Sequence, residues 1–364
     1  MSIPSWVSSN KSHIWIFNVE RGLFIFIRTA LNQGIIYDFG SSTDFKPSEF
    51  LEKYLIPYLD KYEKKRIAQT IISHPHADHI SDIKCLIEPD KEKSLLNAYL
   101  HTCPHHKTEG AKKPEALNWD RVKNPEGNEE NIEIYKSLYK GRELPLQTIC
   151  YESKRLIPNL EYGLYYIRPP VVDKIFPDND QDYVNGTSLI IYYRHGYHSI
   201  LFTGDINPDA LEHLLEEDEG SEKRYTVFDR RKSDLHPNWH KRSEDQPSLQ
   251  YLLGTYGLSI LVAPHHGLES GFSEDLYSSM KYEKPGLVVI SEKRHLLDKD
   301  GKVHPFYQSP DGAIGQMVSI EGKEEKHFSV STRNNHHILI VFQGTGGWPE
   351  VFLEKNPKEL LKKL

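Results

Sequence analysis

Cysteine is scarce in this chain. Cys85, Cys103 and Cys150 are the only three among 364 residues, they lie far apart, and no C-x-x-C pair exists. An odd, scattered set of this kind argues against the disulfide framework of a small secreted scaffold. Long apolar runs are missing too. No stretch approaches the length that crosses a bilayer, and the opening Met1-Ser2-Ile3-Pro4-Ser5-Trp6 lacks the basic region and apolar core of a signal peptide. The expectation is a cytoplasmic protein without a membrane partner. Positive charge is not in excess either, since the formal net charge is −7. That argues against a protein that coats nucleic acid through a basic face, yet it leaves open a local grip on a short phosphodiester. No internal repeat of the solenoid kind is visible.

What remains reads as globular, with 38% hydrophobic and 27% charged residues. The length allows two average domains or one large α/β domain with insertions. The most informative stretch is His74-Pro75-His76-Ala77-Asp78-His79, an H-x-H-x-D-H cluster. The run Ala68-Gln69-Thr70-Ile71-Ile72-Ser73 just before it reads as a buried strand ending at the first histidine. A cluster at a strand terminus presents several donors to one point without long side chains reaching inward. Imidazole nitrogen with carboxylate oxygen suits Zn²⁺, Mn²⁺ or Fe²⁺ and excludes a calcium-type all-oxygen site.

Around this cluster the pattern alternates strands and turns. Ile14–Val19, Leu23–Ile27 and Gly34–Asp38 read as an antiparallel meander, and Pro47 to Lys65 shows helical spacing with a kink at Pro57. A short helix is expected over Ile80–Ile87, with Cys85 on its buried face. Two stretches read as insertions, about 107–159 and 216–247, because both are polar and rich in turn residues. Further strands are expected at Glu161–Arg168, Leu189–Arg194, Ser199–Thr203, Leu258–Ala263, Gly286–Ser291 and His337–Phe342. The last residues, Lys355–Leu364, read as a lysine-rich solvated helix. Two later strands also end in residues able to bind metal: Asp205 follows 199–203, and His265-His266 follow 258–263. Each later motif alone is weak, since Gly204-Asp205 fits a simple turn and His265-His266-Gly267 a strand cap. Ligands converging from the ends of separate strands are what a layered sheet offers along one edge.

In this order the motifs resemble the metallo-β-lactamase fold, specifically its ComEC-like branch. Asp38-Phe39-Gly40 is similar to the opening "DxG" turn, and His74–His79 to the signature motif. Asn185-Gly186-Thr187-Ser188-Leu189 with Leu201-Phe202-Thr203-Gly204-Asp205 resembles "N..SLV…LLTGD". Pro264-His265-His266-Gly267 resembles "PHHGS", with Leu268 in place of serine; Ile290-Ser291 leading to His304-Pro305 resembles "iS…N.ygHP", without an evident asparagine. Ser331–Asn335 resembles the closing "TdrdG.I" hairpin. The likeness spans about residues 12–347 and implies an α/β, αββα four-layer sandwich over 1–347, with the two insertions and a helical tail over 348–364.

The resemblance also implies one or two divalent ions, Zn or Mn. His74 and His76 would hold one, Asp78 and His79 the other, and Asp205 would bridge them. His266 would complete the second site and leave His265 for substrate or leaving group, although the two could exchange roles. Many members add a third histidine to the first metal; His101, His105 or His106 could serve here, with Cys103 nearby. The implied activity is metal-dependent hydrolysis of a phosphodiester, as in a nuclease, with Asp78 orienting and deprotonating water. His265 or His304 would meet the leaving group. Lys223, Arg224, Arg230, Arg231, Lys232, Lys241 and Arg242, interleaved with Tyr225, Phe228 and Trp239, suit a surface that tracks nucleic acid. They suit a solvated excursion equally, since Asp229, Asp234, Glu244 and Asp245 dilute the charge. Other readings are a hydrolase of a small ester, thioester or lactone, a non-catalytic or partner-dependent effector subunit with a structural metal site, and the nuclease subunit of a multi-component system that docks a partner through 107–159.

Overall fold

The computed structural model describes residues 11–20, 22–30, 32–59, 67–87, 99–102, 117–122, 128–138, 160–167, 169–216, 225–226, 248–292, 302–344 and 346–364. Among them are two sheets with helices outside. The first joins nine strands in the order β13-β12-β16-β15-β1-β2-β3-β4-β5. Its members are β1 Ser12–Ile16, β2 Ile25–Arg28, β3 Gly34–Tyr37, β4 Ile67–Ile72, β5 Tyr99–Thr102, β12 Gln316–Ile320, β13 Lys323–His327, β15 His337–Phe342 and β16 Glu350–Glu354. The second joins seven in the order β14-β11-β10-β8-β7-β6-β9. These are β6 Leu160–Tyr166, β7 Ile190–His195, β8 His198–Phe202, β9 Tyr225–Thr226, β10 Ile260–Val262, β11 Leu287–Ile290 and β14 Ser329–Ser331.

Strand periodicity explains the layering. Alternate residues point to opposite faces, and in the central strands both faces are apolar. Ile14, Ile16, Ile25, Ile27, Ile35 and Ile71 of the first sheet meet Leu164, Ile191, Ile200, Phe202, Val262 and Val289 of the second in one buried cluster. The intervening residues, among them Trp15, Phe26, Ile36, Tyr192, Leu201, Leu261 and Val288, belong to a second cluster with the helices. Those helices include α1 Pro47–Phe50, α2 Ala77–Ile80, α3 Glu129–Ser137, α4 Pro169–Ile175, α5 Asp180–Gly186, α6 Pro208–Leu215, α7 Leu249–Tyr256, α8 Glu274–Ser278 and α9 Pro357–Leu360. Burial on both faces is why these strands read as unbroken apolar runs. No helix among the described residues is long and apolar enough to cross a membrane.

The meander over β1–β3 is antiparallel. From there the chain becomes parallel where it matters. β4 runs parallel to β3, and β10 runs parallel to both β8 and β11. The loops leaving β4, β8, β10 and β11 carry the motif residues.

Several elements differ from the sequence expectation. The helix expected from Pro47 changes pitch, passing from α1 through a wide turn at Leu51–Leu55 into a 3-10 turn at Ile56–Tyr58. Pro57 has no N–H to donate to the carbonyl four residues back, so a regular ladder cannot continue. The helix expected over Ile80–Ile87 instead starts inside the motif, at Ala77, and is followed by a 3-10 turn at Ile83–Leu86. The expected insertion at 107–159 is not polar throughout. Leu117, Val122, Ile132, Ile134, Tyr135 and Leu138 are buried, the last four on or just after α3. Residues 107–116, 123–127 and 139–159, and nearly all of 216–247 with its basic residues, lie outside the described residues. The expected helical tail begins as a strand. In β16 the buried Val351 and Leu353 alternate with partly exposed neighbours, and the strand pairs with β15 and β12. Only Pro357 onward is helical.

Candidate metal centre

The H-x-H-x-D-H stretch crosses three kinds of backbone in six residues. His74 follows the end of β4, His76 is extended at φ −74 and ψ 151, and Asp78 and His79 open α2. The His79 carbonyl accepts from the Phe39 N–H at 2.8 Å, and the Ile71 carbonyl accepts from the Asp38 N–H at 2.8 Å, so the loop after β3 clasps the motif. Asp205 arrives from the end of β8 through Gly204, whose φ is +55. A Cβ on Gly204 would lie 3.0 Å from Ser73 and 3.1 Å from the Tyr37 hydroxyl, so both the conformation and the space call for glycine. The Gly204 carbonyl accepts from the His265 N–H at 3.1 Å, which ties the Asp205 turn to the loop after β10. In that loop His265 and His266 both adopt left-handed backbone, at φ 48 and 58. Non-glycine residues pay about 1 kcal/mol or more for such a conformation, and it clusters at functional sites.

These turns bring six of the expected side chains together. Asp78, His79, Asp205 and His266 form one group, and His74, His76 and Asp205 form another; within each group the ligand atoms lie within 4.8 Å of one another. The Asp205 carboxylate lies 3.2 Å from His79 Nε2, 3.6 Å from His266 Nε2 and 3.9 Å from His74 Nε2. His266 Nε2 is 3.3 Å from Asp78 Oδ2, and His74 Nε2 is 3.0 Å from His76 Nδ1. Bonds of about 2.0–2.1 Å in a tetrahedron put neighbouring donors roughly 3.3 Å apart, so this spacing suits donors around a shared cation.

The outer nitrogens are engaged in ways that free the inner ones. His79 Nδ1 donates to Asp38 Oδ2 at 2.7 Å, and Asp38 also accepts from the Ser73 N–H and hydroxyl at 2.6 and 2.7 Å. His74 Nδ1 lies 3.0 Å from Ser73 Oγ, and His266 Nδ1 donates to the Ser291 carbonyl at 3.0 Å. With Nδ1 keeping its proton for these partners, Nε2 is the nitrogen left to face a cation once its own proton is displaced. The buried Nε2 atoms of His79 and His266 make no aligned hydrogen bond despite the nearby carboxylates. Buried nitrogens that face carboxylates without an aligned hydrogen bond fit a metal ion, and a His/Asp group close enough to hold one is present.

Burial and charge set the titration. Burial alone would lower the His79 pKa, but the Asp205 and Asp38 carboxylates outweigh it and hold it well above the ordinary value. His266 behaves alike, with burial overcome by Asp205 and Asp78. Burial opposes ionisation of Asp205, yet His79, His266 and His265 hold its carboxyl well below the usual range. For Asp78, burial is likewise overcome by His266 and His79. His74 stays low, chiefly through burial and then the neighbouring imidazoles.

The centre opens into a cleft of about 680 Å³ lined by His76, Ala77, Asp78, Arg121, Asp178, Asn179, Asp180, Gln181, Val184, Asp205 and His265. His265 lies on this wall, its Nε2 3.9 Å from Asp205 and its Nδ1 2.9 Å from Ser270 Oγ. His304, expected at the substrate, is not among the residues that line this cleft; its N–H donates to the Gly267 carbonyl at 2.8 Å. Its ring stacks on Phe272 at 4.0 Å and 4°, and its Nδ1 accepts from the Phe306 N–H at 3.3 Å. It caps a turn and backs the histidine loop. The ring of His101, on β5, and the residues Cys103, His105 and His106 fall outside the described residues.

Sequence reasoning noticed Asp38 only as a turn and did not assign it to His79. Its signal was an aspartate directly after a buried strand. Arg121, from within the supposed insertion, gave no signal at all. No protein-family model matches the chain, and no curated protein matches it in sequence.

Proposed function

We propose that this protein is a metal-dependent hydrolase with the metallo-β-lactamase arrangement of its ComEC-like branch, and that it cleaves phosphodiesters. The observation that carries the reading is Asp205, shared by two ligand groups at the end of an open cleft. Two face-to-face sheets with helices outside support it as the scaffold such a site needs. The mixed imidazole and carboxylate donors suit zinc or manganese, held by His74, His76 and Asp205 in one half and Asp78, His79, Asp205 and His266 in the other. Bound there, such ions supply Lewis acidity toward phosphoryl oxygens and a water acidified toward a pKa of about 7. Asp78, a quarter exposed, orients the attacking water and takes up its proton. His265, on the cleft wall, delivers a proton to the leaving oxygen. A purely structural metal role fits less well, because three protein donors in one half leave a position open for solvent or substrate.

One observation favours a second reading, a hydrolase of small esters, thioesters or lactones. Arg121 is the only arginine or lysine among the described cleft residues, and Asp173 and Asp180 already hold it, beside Asp178. Such a wall welcomes a polyanion poorly.

The test is metal content by mass spectrometry on protein purified without chelators, paired with hydrolysis of bis(p-nitrophenyl) phosphate with zinc or manganese supplied. Wild type is expected to carry metal and turn over, and Asp205→Ala to lose both ions and fall to background. Unchanged metal and activity in Asp205→Ala would remove the proposal. A screen of single-stranded DNA, duplex DNA, RNA, cyclic dinucleotides and small esters then separates the two readings.

A further inference from the structure

Glu292 is a buried carboxylate beside the metal centre to which the proposed chemistry gives no task. It is 3% exposed and follows Ser291 at the end of β11. Ser291 touches the supports of two ligands. Its carbonyl accepts from His266 Nδ1 at 3.0 Å, and its hydroxyl donates to the Gly22 carbonyl at 2.6 Å. Gly22 in turn lies against Asp78. Its φ is +126, and a Cβ there would collide with the Asp78 carbonyl oxygen. One residue thus steadies the ring of His266 and the backbone of Asp78, both donors of the four-ligand half.

The position of Ser291 is fixed from the next residue. The Glu292 N–H donates to Thr332 Oγ1 at 2.9 Å, and that hydroxyl donates back to the Glu292 carbonyl at 3.0 Å. The Thr332 N–H donates to the Ile290 carbonyl at 3.1 Å. The Glu292 side chain sits 2.6 Å from an Arg333 guanidinium nitrogen as an ion pair, and the Ser331 side chain also bonds it. A buried carboxylate stripped of its cation is strongly unfavourable, so the chain around it moves or the group takes up a proton. Arg333 is 41% exposed, so truncating it opens no core cavity.

We propose that the Glu292–Arg333 pair is a positioning device for the Asp78/His79/Asp205/His266 half-site, acting through Ser291 on His266 and on the turn against Asp78. The proposal rests on the metal reading above. Groups that hydrogen-bond a metal ligand directly change metal affinity about 10- to 100-fold, so a pair acting through Ser291 belongs at the lower end of that range.

The experiment compares wild type, Arg333→Ala and Arg333→Lys after chelator treatment. Zinc is titrated back by calorimetry, cobalt(II) is added separately to record its absorption bands, and melting is measured without metal. In Arg333→Ala one of two ions is expected to bind about tenfold more weakly, one set of cobalt bands to shift, and metal-free melting to hold. Arg333→Lys, which keeps the charge, is expected to recover most of the affinity. Wild-type binding of both ions in Arg333→Ala overturns the proposal and leaves the metal reading standing. Equal weakening of both ions with lower metal-free melting, or misfolding that Arg333→Lys does not repair, overturns it as a general structural staple. A wild type that binds no metal overturns both readings.

Discussion

At the ends of β4, β8 and β10, buried histidines lie among carboxylates; at the opposite end of the same sandwich, His13 and His195 are buried among a cation, hydroxyls and other imidazoles. His13 Nδ1 lies 2.8 Å from Arg28, and burial, then Arg28 and Lys11, push its pKa down to about 3. His195 Nδ1 lies 3.0 Å from Ser12 Oγ, which is 2.6 Å from the Tyr193 hydroxyl. Burial, then His198, push His195 down to about 4. Burial acts in the same direction at both ends. What differs is a carboxylate about 3 Å away. At an effective dielectric of about 20 that contact is worth about 5 kcal/mol to a charged imidazole, enough to reverse the sign. At the metal end this reversal is confined to His79 and His266; His74 and His76 are lowered, as the histidines of the far end are.

The pH dependence of stability should separate the ends most strongly. A buried histidine with a lowered pKa is neutral in the folded chain but gains a proton in the unfolded chain below about 6.5. Its contribution is complete above that pH and erodes as pH falls toward 4. For His195 the expected loss is about 3 kcal/mol across that window. His79 has the opposite sign: its raised pKa contributes most below 6.5, and that contribution fades as pH rises through the folded value. Urea unfolding of chelator-treated wild type and His195→Gln at pH 7 and 4.5 checks this. An acid limb just as steep in the variant would break the comparison.

Next in size is Asp38→Asn, which removes the charge that holds His79 Nδ1. Zinc affinity is expected to fall about 10- to 100-fold by competition with a chromophoric chelator. Unaltered affinity would mean that Asp38 serves only the turn. Metal binding at this centre must also displace protons from His79 and His266, so affinity should weaken as pH falls.

The smallest effect sharpens the far end. Tyr193→Phe removes the hydroxyl partner of Ser12 and is expected to lower stability by about 1 kcal/mol with metal content unchanged. Loss of metal in that variant would show that the two ends are coupled.

How much of this was legible in the chain follows from how local each signal is. Strands buried on both faces, such as Leu287–Ile290 and His337–Phe342, stand out because continuous apolar runs need no partner to be recognised. The hairpin of β12 and β13 did not stand out. Lys323–His327 is charged and almost fully exposed along a sheet edge, where polar residues discourage pairing with another chain. β16 hid beside a lysine-rich terminus for the same reason: its alternation is brief, and its partners β15 and β12 supply the rest.

By itself the sequence determined the donors: three imidazoles and a carboxylate within six residues, with Asp205 and the 265–266 pair each placed after a buried strand. Only the tertiary structure decided which imidazole faces inward, which carboxylate orients it, and which histidines stay neutral. Ligand chemistry is a property of residue type and short spacing. Orientation and charge depend on contacts such as Asp38 with His79 or Ser12 with His195, 41 and 183 residues apart. Parallel pairing of β3 with β4 brings the first pair together, and the packing of one sheet on the other brings the second.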